Sequence, residues 1–324
     1  MPTVAPLDLD GHCVAATFVA DVPHFALADG HVHRLDHGHK SEKVHDGLLA
    51  ATTDLASSRL VTGGEDGKVC STKADGTSET LAELGRKWIT SVACGPQGAI
   101  AYASGRNAYV RFADGKVKEF VHPRSVEGIA FSPKGMRIGV ARYNGATLHF
   151  PAADGKPTEL EWAGAHTGIT FSPDGNFLVT TMQENALHGW KLVDGKHMRM
   201  SGYPAKVKSM SWSAKGKWLA SSGAPAAIVW PFQSKDGPMG KAPLELGTRG
   251  NMMVSAVACH SADDIAAIGY ADGMVLAARF ADQKEVLLRR PGKGAITSMA
   301  WDKEGRRVVF GSESGDCGVI DIAG

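Results

Sequence analysis

The stretch Gly164–Gly195 reads GAHTGITFSPDGNFLVTTMQENALHGWKLVDG, and its pattern decides the fold class. It contains three short apolar runs, at 168–171, 177–180 and 186–192, which are separated by the turn segments SPDG and QEN. Short β-prone runs divided by turn residues predict a three-stranded antiparallel meander. Because three strands cannot bury both faces of their sheet, such a unit needs copies of itself to pack against.

Copies of this unit occur along the whole chain. The first-strand motif is found eight times, and its successive starting positions are separated by 34, 41, 37, 41, 40, 47 and 42 residues. A four-stranded blade of a β-propeller takes about 40–45 residues, so this spacing predicts one blade per copy. The eight first strands are predicted at 14–19, 48–53, 89–94, 126–131, 167–171, 207–212, 254–259 and 296–301.

The two ends of the chain indicate how the last blade is completed. Fourth strands follow only seven of the eight units, whereas VAPLD at 4–8 resembles the fourth strand APLEL at 242–246. We therefore expect the N-terminal strand to close the last blade, which removes open sheet edges. The prediction is an all-β, single closed β-propeller of four-stranded blades that spans 1–324 as one domain. Eight blades are preferred and seven are possible, because the first unit, at 14–36, is short.

Composition limits the classes of function. The chain has 35 basic and 34 acidic residues and no basic arm, which argues against a nucleic-acid partner. Its five cysteines are scattered, odd in number and never spaced CxxC, which argues against a disulfide framework or a zinc ribbon. The N-terminus lacks the pattern of a signal peptide, and no apolar run reaches the roughly 18 residues of a membrane helix. We expect a soluble, cytoplasmic protein without a membrane partner.

The chain resembles the WD40-repeat family over nearly its whole length. The resemblance is carried by AHTGITFSPDGNFLVTT with Trp190, and by FSPKG at 131–135, WSAKGKWLASS at 212–222 and RLVTGGEDGKV at 59–69. The family's Trp-Asp pair at the end of the third strand is changed here, for example to Trp190-Lys191. Its structural aspartate is kept as Asp29, Asp66 and Asp272. No repeat keeps the full Asp-His-Ser/Thr-Trp hydrogen-bond set. The resemblance implies the propeller fold, and a fold of this kind supports many unrelated functions.

Histidines crowd the first repeat, where seven of the 13 lie between His12 and His45. Residues two apart on a strand point to the same face of the sheet, so His31 and His33 lie on one face. His37 and His39 repeat that spacing across the turn to the fourth strand. Neutral imidazoles placed in this way can bind zinc or another transition metal. The alternative is a solvated hairpin that is rich in histidine.

The sequence does not indicate an enzyme. It contains no GxSxG, HExxH or Walker motif, and no GxGxxG between a strand and a helix. No spacing of Ser, His and Asp selects a nucleophile. We expect a non-catalytic protein without a cofactor.

Binding of another protein is the remaining class. In the WD40-like arrangement, one face gathers the loops that enter first strands and those that join second to third strands. Aromatic, Met and Arg side chains on exposed loops are typical anchors of protein interfaces. The predicted partner-binding residues are Arg86, Trp88, Arg106, Tyr143, Gln183, Tyr203 and Met252. In the alternative interpretation, Trp88 and Met252 only fill the core. The sequence thus predicts a scaffold for protein–protein interaction, with a metal-binding propeller as the alternative.

Overall fold

The computed structural model describes residues 2–322, and residues 1, 323 and 324 of the predicted domain lie outside this range. The chain begins with five strands, β1 (Thr3–Asp8), β2 (Cys13–Val19), β3 (Val22–Leu27), β4 (His31–Leu35) and β5 (His39–Lys43). They are followed by β6 (Leu48–Thr53), β7 (Arg59–Gly64), β8 (Lys68–Lys73), β9 (Ser78–Glu83), β10 (Ser91–Cys94), β11 (Ile100–Ser104), β12 (Asn107–Arg111) and β13 (Val117–Val121). A short 3-10 helix lies at Pro96–Gly98.

The second half of the chain continues the pattern. Its strands are β14 (Val126–Phe131), β15 (Ile138–His149), β16 (Thr158–Phe171), β17 (Phe177–Met182), β18 (Leu187–Lys191), β19 (His197–Met200), β20 (Met210–Trp212), β21 (Trp218–Ser221) and β22 (Ala227–Pro231). The remaining strands are β23 (Leu244–Leu246), β24 (Val254–Cys259), β25 (Ile265–Tyr270), β26 (Val275–Arg279), β27 (Glu285–Arg289), β28 (Ile296–Trp301), β29 (Arg307–Ser312) and β30 (Asp316–Asp321). Over residues 2–322, no helix has the length and apolar character needed to cross a membrane.

The chain divides into two compact units. The first combines the chain up to Ser41 with the chain from Tyr203 onwards, and the second is Glu42–Gly202. The prediction of one domain over 1–324 stays a prediction.

The first unit contains four four-stranded antiparallel sheets among its described residues, in the orders β1-β30-β29-β28, β2-β3-β4-β5, β20-β21-β22-β23 and β24-β25-β26-β27. In the first of these sheets, β1 pairs antiparallel with β30, with Thr3 opposite Asp321 and Asp8 opposite Asp316. The prediction that the N-terminal strand completes the last repeat is therefore confirmed.

The second unit contains two four-stranded sheets, β6-β7-β8-β9 and β10-β11-β12-β13, and the six-stranded sheet β14 to β19. The six-stranded sheet holds the fourth and fifth predicted repeats, because its two long strands each change partner midway. Residues 138–142 of β15 pair with β14, whereas residues 145–148 pair with residues 158–161 of β16. The rest of β16 pairs with β17. Residues 2–322 thus form seven sheets, and the six-stranded one accommodates two of the eight predicted repeats.

The change of partner within β15 depends on its turn at Asn144 and Gly145. Both residues have positive φ, 64° and 125°. A Cβ at Gly145 would lie 2.1 Å from the carbonyl oxygen of Leu160, so only glycine allows the two segments to approach this closely.

The core of each unit is built from the middle strands of its sheets. All six residues of β17 are buried, as befits an apolar and β-branched run. Fourth strands such as β9 are mostly exposed and polar. Burial of one side chain such as Leu178, which is fully buried, contributes about 1.5–3 kcal/mol.

Two first strands are shorter than predicted. The prediction was 89–94 and 207–212, but β10 begins at Ser91 and β20 at Met210. Ile89 instead donates its N–H to the carbonyl of Gly64, and the N–H of Ser209 donates to Ser222 Oγ. These residues leave the ladder because their backbone groups have other partners.

The five cysteines are free and lie in strands, as predicted. Cys13, Cys70 and Cys317 are buried, and the others are half-buried. Burial raises the pKa of Cys94 and of Cys259 to about 12. These thiols are therefore protonated and unreactive at neutral pH.

Candidate interaction surface

The loop between β9 and β10 presents Trp88 to solvent. Its two ends are fixed, because the N–H of Leu84 donates to the carbonyl of Gly67 and that of Ile89 to the carbonyl of Gly64. Gly67 has φ 77°, and a Cβ there would lie 1.9 Å from the carbonyl oxygen of Gly85. Since Ile89 is fully buried, the preceding residues project outwards, and Trp88 remains 55% exposed.

Trp88 borders an open cavity of about 480 Å³. The same cavity is lined by Lys87 and by Arg106, which lies in the turn between β11 and β12. Tyr109, also in the lining, stacks on Tyr102 with ring centroids 5.1 Å apart, and its hydroxyl accepts a hydrogen bond from Asn107. The base of the cavity is therefore formed by strand residues with fixed side chains.

The next loop, at 122–126, is attached to the same turn. The N–H of His122 donates to the carbonyl of Arg106 at 2.9 Å, and the N–H of Val126 donates to the carbonyl of Gly105 at 2.8 Å. Arg124 lies at the exposed middle of this loop. The backbone thus connects the turn that carries Arg106 to the loop that carries Arg124.

Arg124 lines a second open cavity, of about 590 Å³, with Tyr143 and Trp162. Tyr143 is 50% exposed and lies at the turn inside β15. The adjacent Arg142 is buried, and its guanidinium donates to Thr147 Oγ1, to the carbonyl of Tyr143 and to Glu159. Because Arg142 is held on several sides, the turn that presents Tyr143 is rigid.

The exposed charge of this surface is mainly positive. Arg86, Lys87, Arg106 and Arg124 are exposed, and none of them forms an ion pair with another described residue. Both acids that line the second cavity, Glu159 and Glu161, are exposed. Glu159 is paired with Arg142, whereas Glu161 forms no ion pair with another described residue. We call the two cavities with these four cations the Trp88–Tyr143 surface.

Comparisons with known proteins identify the fold. Solved structures that resemble the chain over most of its length include the following two. The computationally designed protein Ika8 has a TM-score of 0.78 at 18% identity, with 97% of this chain and 98% of Ika8 covered. The WD40 repeats of RRP9 have a TM-score of 0.63 at 15% identity, with 85% of this chain and 93% of that chain covered. The chain has the WD40-like β-propeller fold. No family model matches it, and no curated protein matches its sequence.

Three of the seven predicted partner-binding residues line the two cavities, namely Trp88, Arg106 and Tyr143. Arg86 is exposed two residues before Trp88 and lines neither cavity. Gln183 is exposed in the turn between β17 and β18 of the same unit, where its N–H donates to the carbonyl of Ala165. It lines neither cavity.

Tyr203 and Met252 lie in the first unit and do not project from it. Met252 is half-buried and packs against the core around Tyr270. Tyr203 is only 7% exposed; its hydroxyl lies 2.6 Å from Ser221 Oγ and accepts a hydrogen bond from Trp230 Nε1. Burial raises the pKa of Tyr203 to about 12. For these two residues, the expectation of exposed loop side chains is corrected.

The spacing along the chain contains a signal for the role of Tyr203. His45, which is buried, bonds Asp66 through Nδ1 at 3.0 Å and Thr62 through Nε2 at 2.8 Å. This keeps three members of the four-residue set of the WD40-like repeat. His45 precedes Thr62 by 17 residues and Tyr203 precedes Ser221 by 18, so Tyr203 occupies the position of the histidine.

The sequence did not indicate Trp162 as a residue of the Trp88–Tyr143 surface, because this residue ends a predicted fourth strand.

The predicted metal ligands are only partly brought together. His33 Nδ1 lies 2.9 Å from His39 Nε2, and their rings stack. His31 bonds Asp29 instead, and the side chain of His37 is 98% exposed. Burial and the neighbouring His39 lower the pKa of His33 to about 4. Throughout the described range, no three or more His, Cys, Asp or Glu side chains are grouped so that they could hold a metal ion.

Proposed function

We propose that this WD40-like propeller is a non-catalytic, cytoplasmic scaffold that binds a protein partner through the Trp88–Tyr143 surface. The observation that carries the proposal is the exposure of Trp88 and Tyr143, 55% and 50%, each beside an open cavity. Large aromatic rings at such positions bury much apolar area when a partner docks, and they lose few rotamers.

The backbone of the surface favours binding for a second reason. Its loops are fixed by hydrogen bonds from Leu84, Ile89, His122 and Val126. A fixed loop loses little conformational entropy on association, so more of the contact free energy contributes to affinity.

The test compares capture of partners from native lysate by the full chain and by Trp88→Ala/Tyr143→Ala. The matched control is Leu55→Ala/Val193→Ala, because these side chains are 74% and 83% exposed in the same unit and line neither of the two cavities. Captured proteins are identified by mass spectrometry and their binding is repeated with purified components. We expect loss of binding in the first variant only. Equal capture by all three proteins would contradict the proposal.

A second candidate function is metal binding in the first repeat, which is favoured by the contact between His33 and His39. Calorimetry with zinc on the wild-type chain and on a His31/His33/His37/His39→Ala variant tests it. A heat of zinc binding in the wild type that the variant lacks would support this function. The same heat in both titrations would exclude these histidines as ligands.

A further inference from the structure

We infer that the partner segment recognised by the Trp88–Tyr143 surface is an extended acidic peptide that also carries an apolar side chain. This inference rests on the proposed function and specifies the chemistry of the partner. It is based on the charges of the surface, which the aromatic rings alone do not explain.

The four cations of the surface have no acidic partner within residues 2–322. Elsewhere in the same unit, some exposed or half-exposed basic side chains are paired, such as Lys116 with Asp114 and Lys118 with Asp154, and others, such as Lys156, are not. Arginine presents five donors in a planar fork that matches a carboxylate. Arg106 and Arg124 are therefore available for the carboxylates of a partner.

The arrangement of the cations favours an extended ligand. Arg106 and Lys87 line the first cavity, and Arg124 lines the second. The loop of Arg124 is hydrogen-bonded to the turn of Arg106, so the two cavities follow one another along connected backbone. An extended peptide with alternating side chains can place apolar residues against Trp88 and Tyr143 and acidic residues against the arginines.

A single-stranded nucleic acid would also combine negative charge with rings that stack on aromatic side chains. The second cavity disfavours it, because the exposed carboxylate of Glu161 lies in the lining beside Tyr143 and Trp162. A phosphodiester backbone carries a charge at every nucleotide and would be repelled there. A peptide supplies backbone N–H groups that can donate to Glu161. The formal net charge of +1 provides no general attraction for nucleic acid either.

The experiment selects a displayed library of random twelve-residue peptides on the full chain. The most enriched peptide is then synthesised with fluorescein, and its affinity is measured by fluorescence polarisation. We expect enrichment of Asp and Glu around one or two apolar residues. Arg106→Gln/Arg124→Gln should weaken the binding of this peptide about five- to twenty-fold at low salt, and by less at high salt, since exposed ion pairs are screened.

The matched control is Lys156→Gln/Lys196→Gln, which removes two exposed charges of the same unit that line neither cavity. Its affinity for the peptide should equal that of the wild type. The inference is overturned if the library enriches neutral or basic peptides or none, or if both double variants bind equally. It is also overturned if a fluorescein-labelled fifteen-nucleotide poly(U) binds more tightly than the peptide. The proposed function is judged separately, by the capture experiment with Trp88→Ala/Tyr143→Ala.

Discussion

Trp88 and Tyr203 occupy comparable places in the chain and have opposite environments. Each lies in a loop that joins a fourth strand to the next first strand, and each loop is fixed by a backbone hydrogen bond, from Ile89 to Gly64 and from Ala205 to Gly223. Tyr203 is buried because its hydroxyl has Ser221 and Trp230 as partners. Trp88 has no hydrogen-bond partner in the described part of the chain and remains exposed. Position in a repeat therefore does not decide exposure, whereas the partners on the following strands do.

Truncation of the two rings gives the largest expected difference. Tyr203→Ala removes a buried ring and leaves two polar groups without their partner, so we expect a loss of about 3–5 kcal/mol in the free energy of unfolding. Trp88→Ala removes an exposed ring and should change this free energy by less than about 0.5 kcal/mol. Urea denaturation followed by circular dichroism measures both. Similar losses in the two variants would mean that the comparison is wrong.

Acid should affect the second unit through its buried histidines. His188 is fully buried between Trp162 and His197, neither of its ring nitrogens has a hydrogen-bond partner, and burial lowers its pKa to about 3. Burial also lowers the pKa of His149 to about 4. Below the ordinary pKa of 6.5, the unfolded chain takes up protons that the folded chain does not. The contribution of these neutral histidines to the free energy of unfolding is therefore fully present above pH 6.5, and it is lost as the pH falls from 6.5 towards 4.

The variant His188→Phe isolates this effect. It keeps an aromatic ring at the stacked position and removes the titrating group, so its stability near pH 7.5 should stay within about 1.5 kcal/mol of the wild type. Its loss of stability on acidification should be smaller, by up to about 1.4 kcal/mol per pH unit between pH 6.5 and 4. Urea titrations at pH 7.5, 6.0 and 5.0 measure the slope. An unchanged slope would show that His188 does not contribute.

Removal of one hydroxyl should give the smallest of these effects. Tyr203→Phe keeps the buried ring but leaves Trp230 Nε1 and Ser221 Oγ without this partner, which should cost about 1–2 kcal/mol. Ser221 still donates to the carbonyl of Ile228, which limits the loss. The urea midpoint measures the change, with Tyr143→Phe as the control on an exposed tyrosine. Equal midpoints for the two variants would assign the burial of Tyr203 to packing alone.

The strands could be predicted because their signals are local. The predicted first strands 48–53, 126–131, 254–259 and 296–301 coincide with β6, β14, β24 and β28. The pairing of β1 with β30 was also predictable, since VAPLD repeats the pattern of a fourth strand. Alternation of apolar and polar residues and the turn residues between runs are enough for such assignments.

The features of the fold and of the surface that could not be predicted depend on contacts between residues that are distant in sequence. The six-stranded sheet forms because β16 runs without interruption from its pairing with β15 to its pairing with β17, which no periodicity shows. The burial of Tyr203 depends on residues 18 and 27 positions later. Of the candidate surface, the sequence indicated Arg86, Trp88, Arg106 and Tyr143 by residue type, but not the two cavities, which the last three of these residues border.

The pairing of β1 with β30 also has a consequence for the order of events during synthesis. β1 leaves the ribosome before its partner strand, which is made about 300 residues later, and at 5–20 residues per second this is a wait of roughly 15–60 s. During this time β1 must not pair with another strand. The sequence of β1 disfavours such pairing, because Pro6 has no N–H to donate. Most side chains of β1 remain exposed even in the finished sheet. This sheet is therefore assembled from segments of the nascent chain that are synthesised about 300 residues apart.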